Sequence, residues 1–337
     1  MPQKTVRDNS HKTELEIIMN KYRSALPQFG SKLFLTDGGL ETTLIFHKGI
    51  ELPHFASFDL LRNVEGRAVL RDYFVPYIET AQKAGLGFVL ESPTWRANPD
   101  WAAKMGYSRE ALAAINRDGI ELMAELRFTY ETHQTPMVIS GNIGPRGDGY
   151  VAGAVMTPDA AAEYHEGQIK VFAESDADMV AAFTMTNVNE AIGIVMAAQR
   201  HRMPVAIAFT VETDGRLPSG DSLADAIAGV DAATGNGPAY YMINCAHPSH
   251  FDGVLTRGGN WIGRIRGIRA NASKRSHAEL DSSPDLDAGD PVEFGGQYRD
   301  LMRAFPQLRV FGGCCGTDHR HVAHICASCT GGATVAA

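Results

Sequence analysis

Along the chain, short apolar or β-branched runs alternate with longer stretches in which apolar residues return every three to four positions. This is the sequence form of strands followed by helices in a parallel α/β fold. Eight such runs stand out, at residues 32–36, 87–91, 137–141, 179–184, 205–211, 239–244, 261–268 and 308–311. Eight is the number that closes a (β/α)8 TIM barrel. The helices between them carry start signals: Thr157 as a cap with Pro158 and Asp159 behind it, and Asn187 followed three residues later by Glu190. Residues 271–297 break the rhythm, being polar, rich in Asp, Ser and Pro, and too long for an ordinary connection, so they read as a loop inserted after strand seven. Residues 1–30 read as an N-terminal extension with one amphipathic helix, and 31–337 as a single barrel domain. The competing architecture is an open doubly wound sheet. Its first turn would carry G-x-G-x-x-G, which Asp37-Gly38-Gly39-Leu40-Glu41 lacks, so the closed barrel is expected.

Composition narrows the class of partner. Lys and Arg number 31 against 39 Asp and Glu, a formal charge of −8, with no basic block, which argues against nucleic acid and anionic membranes. The N-terminal stretch mixes charges with short apolar runs and lacks the uninterrupted core of a secretory signal, and no later segment reaches the roughly 18 to 20 apolar residues of a membrane span. A cytoplasmic protein is expected, in which five cysteines serve as thiols or metal ligands rather than as a disulfide framework.

In a barrel of this type chemistry collects at the C-terminal ends of the strands. Cys245 directly follows the sixth run, and Cys314-Cys315 follow the eighth through Gly312-Gly313. Strands six and eight are near neighbours in an eight-membered ring, so three sulfurs can converge. Three thiolates suit Zn2+ and leave one position open for a substrate. Gly312, Gly313 and Gly316 supply the tight turn that lets adjacent cysteines reach one ion. Any one of these cysteines could be merely a small buried residue; three at two strand ends argue otherwise. A competing metal reading uses the C-terminal cluster alone, Cys314, Cys315, His319, His321, His324, Cys326 and Cys329, which includes a C-x-x-C spacing. Residues 317–328 read as a helix capped by Thr317, which sends those side chains in different directions, so Cys326 and Cys329 are read as ordinary thiols.

The segments Leu35-Thr36-Asp37-Gly38-Gly39, Gly141-Asn142-Ile143-Gly144-Pro145, Asp214-Gly215-Arg216-Leu217-Pro218, Asn244-Cys245 and Gly312-Gly313-Cys314-Cys315-Gly316 resemble the homocysteine S-methyltransferase family. The resemblance spans roughly residues 32–328. It implies an S-methyltransferase in which Cys245, Cys314 and Cys315 bind zinc and homocysteine sulfur completes the ligand set. A methyl group would pass from an onium donor such as S-methylmethionine or betaine to the acceptor, giving methionine. The resemblance also places Asp37, Gly38 and Gly39 near the acceptor's amino group, and Asn244 is expected to bind substrate as well.

One position departs from the family. Where strand four ordinarily ends in Glu, alignment on Asn187–Ala191 puts Phe183. Glu91, at the end of strand two, is the candidate replacement; otherwise the acceptor is a different small thiol. Trp95, Trp101 and Tyr107 could cage an onium cation or simply pack their loop. A zinc hydrolase is a weaker reading, because three thiolates leave a poor Lewis acid, and a purely structural zinc would call for a fourth protein ligand. The donor's identity and any homo-oligomer are left open.

Overall fold

The strands pair in chain order. In the computed structural model, which describes residues 20–331, β1 (Phe34–Leu35), β2 (Gly87–Glu91), β3 (Met137–Ile143), β4 (Met179–Met185), β5 (Val205–Phe209), β6 (Tyr240–Asn244), β7 (Ile265–Ala270) and β8 (Val310–Gly313) form a closed parallel barrel. Closure comes from β8 pairing back onto β1, with Phe34 opposite Val310 and Leu35 opposite Phe311. That pairing excludes the doubly wound alternative. The eight expected strands are all present, but β7 starts and ends later than 261–268: Trp261 lies in a 3-10 turn, Asn260–Arg264, ahead of the strand.

Helices α1 (Val64–Lys83), α2 (Arg109–Tyr130), α3 (Pro158–Ala173), α4 (Val188–Arg200), α5 (Leu223–Thr234), α6 (Pro248–Thr256), α7 (His277–Asp281), α8 (Pro291–Ala304) and α9 (His319–Thr330) follow the strands. The Thr157 and Asn187 side chains cap α3 and α4 as expected. The last helix is capped by Asp318 rather than Thr317. The Thr317 hydroxyl is engaged elsewhere, donating to the Cys314 carbonyl at 2.7 Å. The 271–297 segment is partly helical: a Ser276–Glu279 capping box starts α7, and α8 begins before the segment ends.

Alternation along the strands decides what faces inward. Phe34, Val89, Val138, Met179, Ala181, Phe183, Ala206, Ala208, Tyr240, Met242 and Val310 fill the barrel interior. Continuing the same alternation to the strand ends turns Glu91, Asn142, Phe183, Asn244 and Arg269 inward at the open mouth.

The opposite end is plugged. Gln28 is fully buried, with its amide 3.2 Å from Met179 Sδ and 3.4 Å from the Tyr240 hydroxyl. Arg23 donates to the carbonyls of Ala173, Ser175 and Ala177, and the Tyr22 amide donates to Asp178 at 2.8 Å. Residues 20–30 are thus packed into the barrel's N-terminal end, while the part of the expected amphipathic helix within 1–19 lies outside the described residues. Among the described residues no helix is long and apolar enough to cross a membrane.

Candidate active site

The mouth is organised by two strand ends. Cys245 takes a left-handed φ of 51°, which residues with a Cβ rarely adopt. Three side chains hold its carbonyl: His277 Nε2 at 2.6 Å, Asn271 Nδ2 at 3.1 Å and Thr210 Oγ1 at 3.4 Å. At β8 the chain turns through Cys314, Cys315 and Gly316, the last with φ of 80°. A Cβ on Gly39 would strike the Cys314 carbonyl and the Thr42 hydroxyl, and its N–H donates to Thr317. Gly39 therefore lets the cysteine turn pack closely against it, and both Gly38 and Gly39 also line the cavity at the mouth.

The Sγ atoms of Cys245, Cys314 and Cys315 all lie within 4.8 Å of one another, the single such group of potential metal ligands among the described residues. Contrary to the expectation of free thiols, Cys245 and Cys314 are joined as a disulfide, while Cys315 is free and meets the Tyr150 hydroxyl at 3.2 Å. A turn that lets sulfurs share an ion also brings two of them within bonding reach, and the Cα separation of 5.3 Å is ordinary for a disulfide. Thiolates bound tetrahedrally at about 2.3 Å lie about 3.8 Å apart. With its sulfurs within 4.8 Å of one another, this cluster fits that requirement once reduced. The second cysteine–histidine cluster does not assemble: His321 is held by Asp318 and the Ala288 carbonyl, and Cys326 and Cys329 pack against the core. Burial pushes the Cys329 thiol up to about 12 and Cys315 up to about 11.

Arg269, which sequence reasoning missed, governs the floor. Its guanidinium pairs with Asp37 at 2.8 Å, donates to the carbonyls of Gly313 and Gly38, and lies 4.9 Å from the centre of the Phe183 ring. The Tyr73 hydroxyl donates to the other Asp37 oxygen at 3.0 Å. Burial raises the Asp37 carboxyl, and Arg269 pulls it back. Asn244 is also occupied: its side chain accepts from the Thr184 amide and donates to the Thr184 hydroxyl, both at 2.9 Å. That clamp accounts for an amide at this place, and Asn244 still lines the cavity. Glu91 is 4% exposed, and its Oε2 has no hydrogen-bond partner. Burial pushes it up to about 8, against the pull of Arg269 and the Ser140 hydroxyl.

Above the cysteines lies a cavity of about 410 Å³, whose lining includes seven carboxylate residues, Asp37, Glu41, Glu91, Asp148, Asp281, Asp285 and Asp287, against two basic ones, Arg96 and Arg269. Trp95 lines it, but Trp101 and Tyr107 do not. Of the two readings of these aromatics, packing within the loop describes Trp101 and Tyr107. The Arg96 guanidinium sits 4.5 Å from the Trp95 ring centre and 3.9 Å from that of Trp101, and Lys104 covers Trp101 at 3.7 Å. Tyr107 packs edge-on to Phe58 and hydrogen-bonds to Asp59.

Residues 34–329 match the family model described as homocysteine S-methyltransferase. The chain belongs to the homocysteine S-methyltransferase family. It is a methyltransferase of that family. Among its curated relatives, a selenocysteine Se-methyltransferase from Brassica oleracea var. italica is 23% identical over 84% of this chain and 85% of its own. Homocysteine S-methyltransferase 1 from Arabidopsis thaliana is 22% identical over 84% and 89%. The fold is shared with the homocysteine methyltransferase MmuM from Escherichia coli in its oxidized form, at a TM-score of 0.70 and 21% identity, covering 90% of this chain and 98% of the other. The metallated form of that protein gives 0.67 at 18% identity over the same shares.

Proposed function

We propose that this methyltransferase moves a methyl group from a cationic onium donor to a homocysteine-like thiol, with Cys245, Cys314 and Cys315 as the ligands of a zinc ion. The observation that carries the reading is the convergence of three sulfurs at the floor of the acid-lined cavity. Zinc bound there supplies thiolate at neutral pH, because coordination deprotonates a thiol whose ordinary pKa is near 8.5. The chain's own residues do the placing. His277, Asn271 and Thr210 fix the left-handed Cys245, and the Gly39–Thr317 contact fixes the Cys314 turn.

The acceptor sulfur forms its bond to the methyl carbon as the donor's carbon–onium bond breaks, and that electron pair leaves with the neutral donor product. The thiol proton is released to solvent. Leaving aside Glu91, which is protonated below about pH 8, and Asp37, which Arg269 neutralises, five acidic residues of the lining face Arg96 alone and raise the local concentration of a cation, which supports an onium donor. The ligands must be thiolates, so the active form has Cys245 and Cys314 reduced, as a cytoplasm would keep them.

The test is to reduce the protein, load zinc, and assay S-methylmethionine, betaine and dimethylsulfoniopropionate as donors with homocysteine as acceptor. Methionine formed only by the zinc-loaded protein supports the reading. Equal methionine formation by metal-free protein would contradict it.

A further inference from the structure

Six polar or aromatic side chains, Arg269 among them, gather around the floor of the mouth, and their partners differ. Asp37 is committed to Tyr73 and to Arg269, whose guanidinium lies 2.8 Å from the Asp37 Oδ1 that otherwise has no hydrogen bond, and Asn244 is committed to Thr184. Phe183 offers only a ring face, already under the Arg269 guanidinium. Glu91 and Asn142 are different. Both line the cavity, and both hold a buried oxygen, Glu91 Oε2 and Asn142 Oδ1, with no hydrogen-bond partner.

They sit on adjacent strands, with Glu91 opposite Ser140 and Asn142 two residues further along the same face. The Asn142 backbone is fixed, its N–H donating to Ser92 Oγ at 3.0 Å and its carbonyl accepting from Thr94 Oγ1 at 2.7 Å. Buried acceptors without donors are costly, at about 1–3 kcal/mol each and more for a charged group. Two of them side by side call for a ligand that brings several N–H donors. Because Asp37 and Arg269 cancel one another, an ammonium beside the Glu91 carboxylate leaves the floor neutral.

We propose that Glu91 and Asn142 form the subsite for a protonated amino group, so that the preferred acceptor is an amino-acid thiol and not a simple mercaptan. The inference rests on the thiol-methylating function above and relocates ammonium recognition from the end of β4, where Phe183 stands, to β2 and β3. Glu91 accepts one N–H of the ammonium and the Asn142 side-chain oxygen another. Neither group takes part in breaking or forming the methyl bond; both set which acceptor is used.

The experiment compares homocysteine with 4-mercaptobutyrate, which keeps the chain and carboxylate but lacks the amine, using the reduced zinc-loaded protein and S-methylmethionine. Assayed above about pH 8, where Glu91 is ionised, the native chain is expected to prefer homocysteine in kcat/KM by at least about tenfold, the scale of one charge-assisted hydrogen bond. Glu91→Gln brings that ratio close to one, and Asn142→Ala lowers it by a smaller factor. Equal use of both acceptors by the native chain, or a preference that Glu91→Gln leaves in place, would overturn the proposal. If neither acceptor is methylated the underlying function fails, and calorimetry then decides the subsite separately. Tighter binding of homocysteine than of 4-mercaptobutyrate, lost in Glu91→Gln, supports it, and equal binding overturns it.

Discussion

A buried carboxyl group titrates late, and at Glu91 burial lifts the group to about 8 although Arg269 on β7 and the Ser140 hydroxyl on β3 oppose the shift. Asp37 on β1 adds to the rise, and Glu91 in turn is felt by the Tyr240 phenol deeper in the barrel. An ammonium ligand favours the ionised carboxylate. Below pH 8 the free site holds a proton that the amine must displace, so recognition of the amine weakens as pH falls. The ratio of kcat/KM for homocysteine over 4-mercaptobutyrate should therefore drop by up to about tenfold per pH unit below about 8 and level off above it. Below about pH 8 both thiols are largely protonated and their thiolate fractions change with pH in parallel, so taking the ratio removes that dependence there. A flat ratio from about pH 6 to about pH 9 contradicts this account of Glu91. At the cysteines the expectation is sharper still. Cys245→Ser and Cys314→Ser should each lose most bound zinc and activity, whereas Cys326→Ser, on the core face of α9, should keep both. Metal analysis of the reduced proteins reads this directly, and a fully zinc-loaded Cys314→Ser variant would refute the ligand assignment.

The inserted segment after β7 gains its purpose from one histidine. His277, in the short helix α7, meets the Cys245 carbonyl through Nε2 and Glu212 through Nδ1, and stacks on Tyr150 with ring centres 4.1 Å apart. Tyr150 in turn touches Cys315, so a loop and a short helix brace both cysteine-bearing strand ends. A left-handed non-glycine residue costs about 1–3 kcal/mol, which such bonds offset. His277→Ala is expected to weaken zinc retention by about 10- to 100-fold, the usual effect of losing a partner that orients a metal ligand. Competition with a chelator measures this; unchanged affinity would show that the Cys245 turn holds itself.

The order of elements was legible because inner and outer faces of each strand are apolar, so the runs stand out, and because Thr157 and Asn187 are strong caps. Arg269 was not legible. Arg266 and Arg269 interrupt the apolar pattern of β7, so the run seemed to end at residue 268, one short of the residue that organises the floor. The helix α7 has five residues and is held by a capping box, leaving no apolar periodicity to read. Thr317 was mistaken for a cap because a hydroxyl before a helix reads alike whether it faces the helix amides or, as here, the preceding turn. The three cysteines were found from spacing alone, since strand-end positions are fixed by topology, but their pairing as Cys245–Cys314 is a matter of distance that no spacing encodes.

The whole molecule is a barrel closed below and open above, and the closure rests on a buried charge. Asp178 accepts from Arg127 at 2.7 Å, from the Ile139 amide at 2.9 Å and from the Tyr22 amide at 2.8 Å, tying α2, β3 and residues 20–30 together. Asp178→Ala leaves a buried guanidinium unpaired, and about 3–5 kcal/mol of stability should be lost, read by urea unfolding. A loss below about 1 kcal/mol would mean that the plug is held by packing alone. With the bottom sealed, the proposed function has acceptor and donor both enter the acid-lined mouth, and it requires that the acceptor reach the sulfur cluster. Zinc K-edge absorption of the reduced, zinc-loaded protein, before and after saturation with homocysteine, tests that requirement most directly. The account predicts a first shell of three sulfurs and one lighter atom that becomes four sulfurs, whereas a shell that does not change at saturation would contradict it.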